Sequence, residues 1–268
     1  MKNKKILYVS SEVVPYLPET EISSMSFEIP RMINKQGGQI RIFMPKYGSI
    51  NERRHQLHEV IRLSGLNLVI NDLDMPLIIK VASIPKERIQ VYFIDNEDYF
   101  KRKATYNDEN GKLFKDNDER AIFFAKGVIE TIKRLNWPPD IIHIHGWLSS
   151  FLPLYLKEIY KDEPTFENSK IVTSVYNTGF SGSLNKKLLD KIVFDEIEKN
   201  KISAIKTPNY NNLMKTAIDF SDAIIVSSKK IPKELEQHIE KSKKPVLAYQ
   251  PKDSFIEDYT EFYNKLLN

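Results

Sequence analysis

The chain contains no cysteine. Disulfides, thiolate-bound metal and a cysteine nucleophile are therefore excluded, and a reducing, cytoplasmic setting is the expectation. No apolar run approaches the roughly 20 residues of a membrane-spanning helix, so no membrane partner is expected. The basic-then-apolar start MKNKKILYVSSEVVPY is interrupted by Glu12 and Pro15 and lacks a small-residue cleavage site; it reads as a buried strand rather than a signal peptide. Charge of one sign is also missing. The net charge is only +4, with acids interleaved among the lysines and no basic stripe, which argues against a nucleic-acid partner. Glycine is absent from SSEVVPYLPETEISSM, Ser10 to Met25, a place where nucleotide-binding α/β domains usually carry a glycine-rich turn.

What is present is an ordinary globular composition. With 41% hydrophobic residues in 268, the chain can build a core for one large or two small domains. Short apolar runs alternate with helical patterns. Ile6–Val9 reads as the first strand, and Ser24–Gln36 as a helix that is kinked or starts late because of Pro30 and stops at Gly37-Gly38. Ile40–Met44 is the next strand. The region from about 57 to 94 reads as a β-rich insertion with runs VIRL, LVI, LIIKVASI and IQVYFI. Asp116 and Glu119 have capping-box spacing at the head of a helix whose Ile122, Ala125, Ile129, Ile132 and Leu135 share one face. Strands at DIIHIH, Ile171–Val175, AIIVSS and PVLAY alternate with helices at Leu148–Tyr160, Lys186–Glu198, Asn211–Phe220, Lys233–Lys241 and Ser254–Leu267. Such alternation predicts right-handed βαβ units and a mostly parallel sheet flanked by helices. We therefore expect a single Rossmann-like α/β domain over 1–268 with a small antiparallel insertion.

Ligands of such sheets bind outside the carboxyl ends of the strands. That rule selects Ser10-Ser11-Glu12, His145-Gly146-Trp147, Tyr176-Asn177 and Ser227-Ser228. His143 and His145 fall on one face of a strand, but no third ligand accompanies them, so neither a metal site nor a cofactor is expected. Trp147 suits sugar stacking or simple packing. Glu12 suits a hydroxylated ligand or a turn cap. NTGFSGS, Asn177 to Ser183, lacks the lysine and spacing of a phosphate loop and reads as a turn. Spacing alone reveals no catalytic set.

Four stretches resemble the N-terminal half of bacterial glycogen synthases and plant starch synthases. KILYVSSEVVPY is similar to the family's opening strand and Ser-Glu-x-x-Pro turn; IPRMINKQGGQIRIFMPKYG, DNDERAIFFAKGVIETIKRLNWPPDIIHIHGW and NNLMKTAIDFSDAIIVSS match its later motifs in order, from about Ile6 to about Ser228. The resemblance implies one half of a B-type glycosyltransferase, which transfers glucose from ADP-glucose to an α-1,4-glucan in a cleft between two Rossmann-like domains. By the same resemblance, Glu12, Asp116, Asn117, Arg120, His145, Trp147 and Asn177 are candidate ligand-binding residues.

This chain departs from the family's pattern in three places. The family's first turn, Lys-[Thr/Val]-Gly-Gly-Leu, meets the diphosphate; here it reads Pro18-Glu19-Thr20-Glu21-Ile22. Like charge on Glu19 and Glu21 would cost a diphosphate on the order of a few kcal/mol, enough to abolish micromolar affinity. His-Asp-Trp-His has become His145-Gly146-Trp147-Leu148, and a histidine has become Tyr176. A complete two-domain enzyme needs about twice this length. The expectation is a stand-alone half without catalytic residues, binding an α-glucan or other sugar, a metabolite or a protein partner. The alternatives are an active glucosyltransferase, alone or as half of a split enzyme, and an interaction protein or homo-oligomer that uses the exposed cleft face. The tail, about 251–268, is expected to end in a helix that packs back through Phe255, Tyr259, Phe262 and Leu266.

Overall fold

The computed structural model describes residues 1–251 and 255–268. Its apolar runs become strands β1 (Lys5–Ser10), β2 (Gln39–Pro45), β3 (His58–Glu59), β4 (Leu66–Ile70), β5 (Leu73–Ser83), β6 (Gln90–Asp95), β7 (Ile141–His145), β8 (Lys170–Val175), β9 (Ala223–Val226) and β10 (Val246–Leu247). Among the described residues these form one sheet in the order β10-β9-β8-β7-β1-β2-β6-β5-β3, with β4 paired to β5. The run from β10 to β6 is parallel. Its central strands are buried along nearly their whole length, as expected of strands covered on both faces. The antiparallel part is β3 to β5, so the expected insertion is shorter than 57–94: Gln90–Asp95 pairs parallel with β2 and belongs to the main sheet. VIRL is not a strand. Val60–Leu63 closes as a turn, with the Leu63 and Ser64 amides donating to the Val60 carbonyl, and Ile61 stands in solvent where no strand could bury it.

Helices α1 (Glu21–Lys35), α2 (Glu97–Phe100), α3 (Asn117–Leu135), α4 (Leu152–Glu158), α5 (Leu188–Phe194), α6 (Tyr210–Asp219), α7 (Lys233–Ser242) and α8 (Phe255–Leu267) flank the sheet. Helix α1 starts earlier than its proline suggested and runs through Pro30. Thr20 fixes the start with a capping box: its Oγ1 accepts the Ser23 amide at 3.0 Å while Ser23 Oγ accepts the Thr20 amide at 2.7 Å. The expected cap at Asp116 does not form. Its backbone is not extended (φ −99°, ψ 12°), and its carboxylate is taken by Arg102 through two bonds of 2.5 and 2.9 Å. A bidentate ion pair outcompetes a single amide. The segment expected as a helix over Leu148–Tyr160 divides into a 3₁₀ turn at Trp147–Ser149 and α4, with Pro153 in the first turn of α4. Helix α5 is shorter than expected.

Helix α8 closes the sheet through buried Phe255, Tyr259, Phe262 and Tyr263. The stripe expected from spacing named Leu266 instead of Tyr263. Yet Tyr263 is the deepest contact, fully buried, with its hydroxyl bonded to His143 Nδ1 at 2.7 Å and donated to the Tyr8 hydroxyl at 3.3 Å. The expected first residue of this helix, Ser254, lies outside the described residues.

Candidate functional site

The strand order reverses between β1 and β7, which start chains running to opposite edges of the sheet. Such a switch point opens a crevice at the carboxyl ends of its strands. Register places Ser10 beside His145 there, and the Ser11 amide donates to the His145 carbonyl at 3.1 Å. Gly146 turns the chain at φ 81°, and a Cβ on it would stand 2.0 Å from Ser11 Oγ. Only glycine combines that angle with that approach. Ser11 Oγ and His145 Nε2 on either side of this turn are buried without a hydrogen-bond partner.

The acidic first turn folds onto itself. Glu12 accepts from Thr20 Oγ1 at 2.7 Å and from the Tyr106 hydroxyl at 3.1 Å. Pro18 offers its carbonyl to Ser23 Oγ at 2.9 Å, Glu19 accepts from Ser24 Oγ at 3.2 Å, and Glu21 accepts from Ser228 Oγ at 2.5 Å. Two of these carboxylates stand at the positive end of α1, a favourable position for negative charge. The helix end that could receive an anion is thus already served by the chain's own acids. A cavity of about 360 Å³ lies there, lined by Glu19, Thr20, Glu21, Ser227, Tyr249 and Tyr259 among others.

A larger cleft, about 830 Å³, opens beside it between the 106–115 loop and the 178–185 loop. Glu12, Tyr106, Trp147 and Phe180 form its polar and aromatic wall, with Lys112 and Lys115 at the rim. Trp147 is only 3% exposed, wedged 5.0 Å from both Tyr106 and Phe180. The half-buried Phe180 therefore presents more ring surface than the tryptophan the sequence singled out. Burial, then Tyr47 and Glu12, push the Tyr106 hydroxyl up, which keeps it a donor to Glu12.

The two histidines are internal. Their rings lie 4.0 Å apart. His143 is bonded through Nδ1 to Tyr263 and through Nε2 to Ser174 Oγ, both at 2.7 Å, and His145 Nδ1 is bonded to the Tyr176 hydroxyl at 2.7 Å. Burial drives His145 down to about 3, and burial together with His145 drives His143 well below the usual imidazole range. Both rings are neutral near pH 7, and neither reaches solvent to act as a proton carrier. Among the described residues no cluster of three metal-ligating side chains forms.

Asp116, Asn117 and Arg120 do not line the cleft. They clamp the loop that supplies Tyr106. Arg120, fully buried, donates to the carbonyls of Tyr99 and Thr105 and to Asn117 Oδ1 at 2.6–2.8 Å, while Asn117 Nδ2 holds the Tyr106 carbonyl at 2.9 Å. Asn177 is exposed, its amide donating to Ser228 Oγ at 2.9 Å. Glu12 and Trp147 therefore line the larger cleft and Glu19, Thr20 and Glu21 the smaller cavity, while Pro18, Asp116, Asn117, Arg120, His145 and Asn177 line neither. Sequence reasoning missed Tyr106 and Phe180. Tyr106 reaches Glu12 across 94 positions, and no local pattern marks such a contact.

Residues 5–245 match the model of the starch synthase catalytic domain family. The chain belongs to the starch synthase catalytic domain family. The match extends past Ser228, where the motif resemblance ended. The chain is 37% identical over 230 residues to a glycogen synthase of Chlorobium luteolum and 38% identical over 230 residues to that of Chlorobium limicola, in each case covering 85% of this chain and 46% of the relative. It thus spans about half the length of the curated relatives it matches. Its fold is that of the catalytic domain of Starch Synthase IV from Arabidopsis thaliana, bound to ADP and acarbose, with a TM-score of 0.74 at 16% identity over 92% of this chain and 51% of that one. The α/β fold is thus that of one half of a B-type glycosyltransferase. Among the described residues no helix is long and apolar enough to cross a membrane.

Proposed function

We propose that this starch synthase-type half holds an α-glucan in the 830 Å³ cleft and does so without a nucleotide sugar at its first turn. The observation that carries the reading is the closed acidic turn: Glu19 and Glu21 stand at the head of α1, bonded to Ser24 and Ser228. A diphosphate brought there meets two carboxylates in place of the lysine and paired glycines of the family pattern. The cleft beside it keeps what a sugar chain needs. Aromatic faces at Phe180 and Trp147 cover apolar sugar surfaces, and Glu12 and the rim lysines meet hydroxyls. The Arabidopsis domain of the same fold was solved bound to ADP and acarbose; the reading proposed for this chain takes up a sugar ligand and not the nucleotide.

The experiment is calorimetric titration with maltoheptaose. Saturable binding is expected, weakened roughly 3–10-fold by Phe180→Ala, the equivalent of one aromatic contact of about 0.5–1.5 kcal/mol. No binding, or binding indifferent to Phe180, would sink the reading. A second reading, glucosyl transfer, is favoured by the level of identity to glycogen synthases. Lengthening of maltoheptaose by the chain supplied with ADP-glucose would establish it.

A further inference from the structure

A third cavity, about 600 Å³, shares no lining residue with the two already described. Arg54 and His55 from the loop after β2, and Lys86 and Arg88 from the turn between β5 and β6, surround it, with Tyr16 in its wall. No carboxylate lines it. Among the described residues Arg54, Lys86 and Arg88 form no ion pair, although 18 ion pairs occur elsewhere. Glu87, the acid within the turn, faces Arg31 instead at 3.9 Å. Tyr16 supplies an independent sign of a missing ligand. It is 5% exposed, packed edge-on against Phe93 and His55 at 4.9 and 5.0 Å, and its buried hydroxyl has no hydrogen-bond partner. Buried hydroxyls are nearly always satisfied, and an orphan beside an open cavity points to an acceptor that arrives with a ligand. Burial, and then the charge of Arg54, hold His55 below its ordinary range.

We infer that this cavity binds a small phosphate monoester, with Arg54, Lys86 and Arg88 around the phosphoryl group and the Tyr16 hydroxyl donating to it. Guanidinium groups suit phosphate because their forked donors match its oxygens. The volume leaves room for a hexose-sized body beyond the phosphoryl group.

The test is titration of the full chain with fructose 6-phosphate at constant ionic strength in a phosphate-free buffer, with fructose and inorganic phosphate as further arms. Saturable binding is expected for the ester, competition from inorganic phosphate, and none from fructose. Arg54→Ala with Arg88→Ala should weaken the ester at least tenfold, since each charged hydrogen bond is worth about that factor or more. Tyr16→Phe should weaken it severalfold while leaving the melting temperature of the ligand-free protein unchanged or higher, because it deletes an unsatisfied group. The exposed pair Lys229→Ala, Lys230→Ala should leave the affinity as it is. Absence of saturation, equal affinity for fructose, an undiminished affinity in Tyr16→Phe, or equal weakening by the Lys229 and Lys230 control would each overturn the inference.

Discussion

Replacing Gly146 by alanine tests whether the crevice depends on one close backbone approach. The new methyl would stand 2.0 Å from Ser11 Oγ and 3.1 Å from Ser11 Cβ, inside a buried turn. The angle φ 81° with ψ 155° is one that side-chain-bearing residues rarely adopt and costs on the order of 1–3 kcal/mol. Overpacking adds a further 1–3 kcal/mol or so. The sum, roughly 2–6 kcal/mol, is a large part of an ordinary domain's stability and corresponds to a melting-temperature loss on the order of 5–20 °C. Ser11→Ala separates the two contributions. Its hydroxyl has no partner, so removing it alone should change stability little. In the Gly146→Ala background the same change removes the closest clash and should restore about half the loss, leaving the backbone strain. Urea denaturation of the wild type, both single variants and the double variant measures all four corners of the cycle. A Gly146→Ala loss under about 1 kcal/mol, or strictly additive effects of the two changes, would refute the reasoning.

Other outcomes follow from buried charge. Lys191 donates to Asp118 at 2.6 Å and to Glu119 at 2.7 Å, with the Asp118 side chain wholly inaccessible. Lys191→Met should therefore destabilise by about 3–5 kcal/mol by stranding that carboxylate, and Asp118→Asn in the same background should recover part of it, as chemical denaturation would show. The neutral histidines make stability depend on pH. Unfolded imidazoles titrate near 6.5, whereas His145 in the fold titrates at about 3 and His143 is also strongly lowered. Their contribution is complete above about pH 6.5 and is lost as pH falls from there toward the folded values. Each histidine then removes up to about 1.4 kcal/mol per pH unit. Between pH 7 and pH 5 the unfolding free energy should drop by roughly 2–4 kcal/mol; a flat profile would mean that both rings take up protons in the fold as readily as in the unfolded chain. Tyr263→Phe should destabilise by about 1–3 kcal/mol, because it leaves His143 Nδ1 buried without its partner.

The central sheet was legible because fully covered parallel strands are short continuous apolar runs between turn signals, as in KILYVS and IIHIH. The switch-point rule selects Glu12 and Trp147 from the sequence, and both line the larger cleft. The features that escaped were set by partners distant in the chain. Asp116 has cap spacing, but Arg102 takes its carboxylate. Tyr263 lies beside the expected stripe of the last helix, yet it is the side chain that His143 and Tyr8 draw inward, 120 and 255 positions away. The acidic first turn was visible as a departure from the family pattern. Its self-satisfaction was not, because the Ser228 that meets Glu21 is 207 positions distant.

The most direct measurement is the maltoheptaose affinity of the chain with and without saturating ADP-glucose, with the glucan examined afterwards for lengthening. Linkage supplies the readout: a nucleotide sugar seated against the bound glucan is expected to shift its affinity, whereas one excluded by Glu19 and Glu21 leaves it unchanged. The account expects the same affinity within about twofold, too small a shift for the usual coupling between neighbouring sites, and a glucan of unchanged length. A tenfold change in affinity, or a longer glucan, would contradict it.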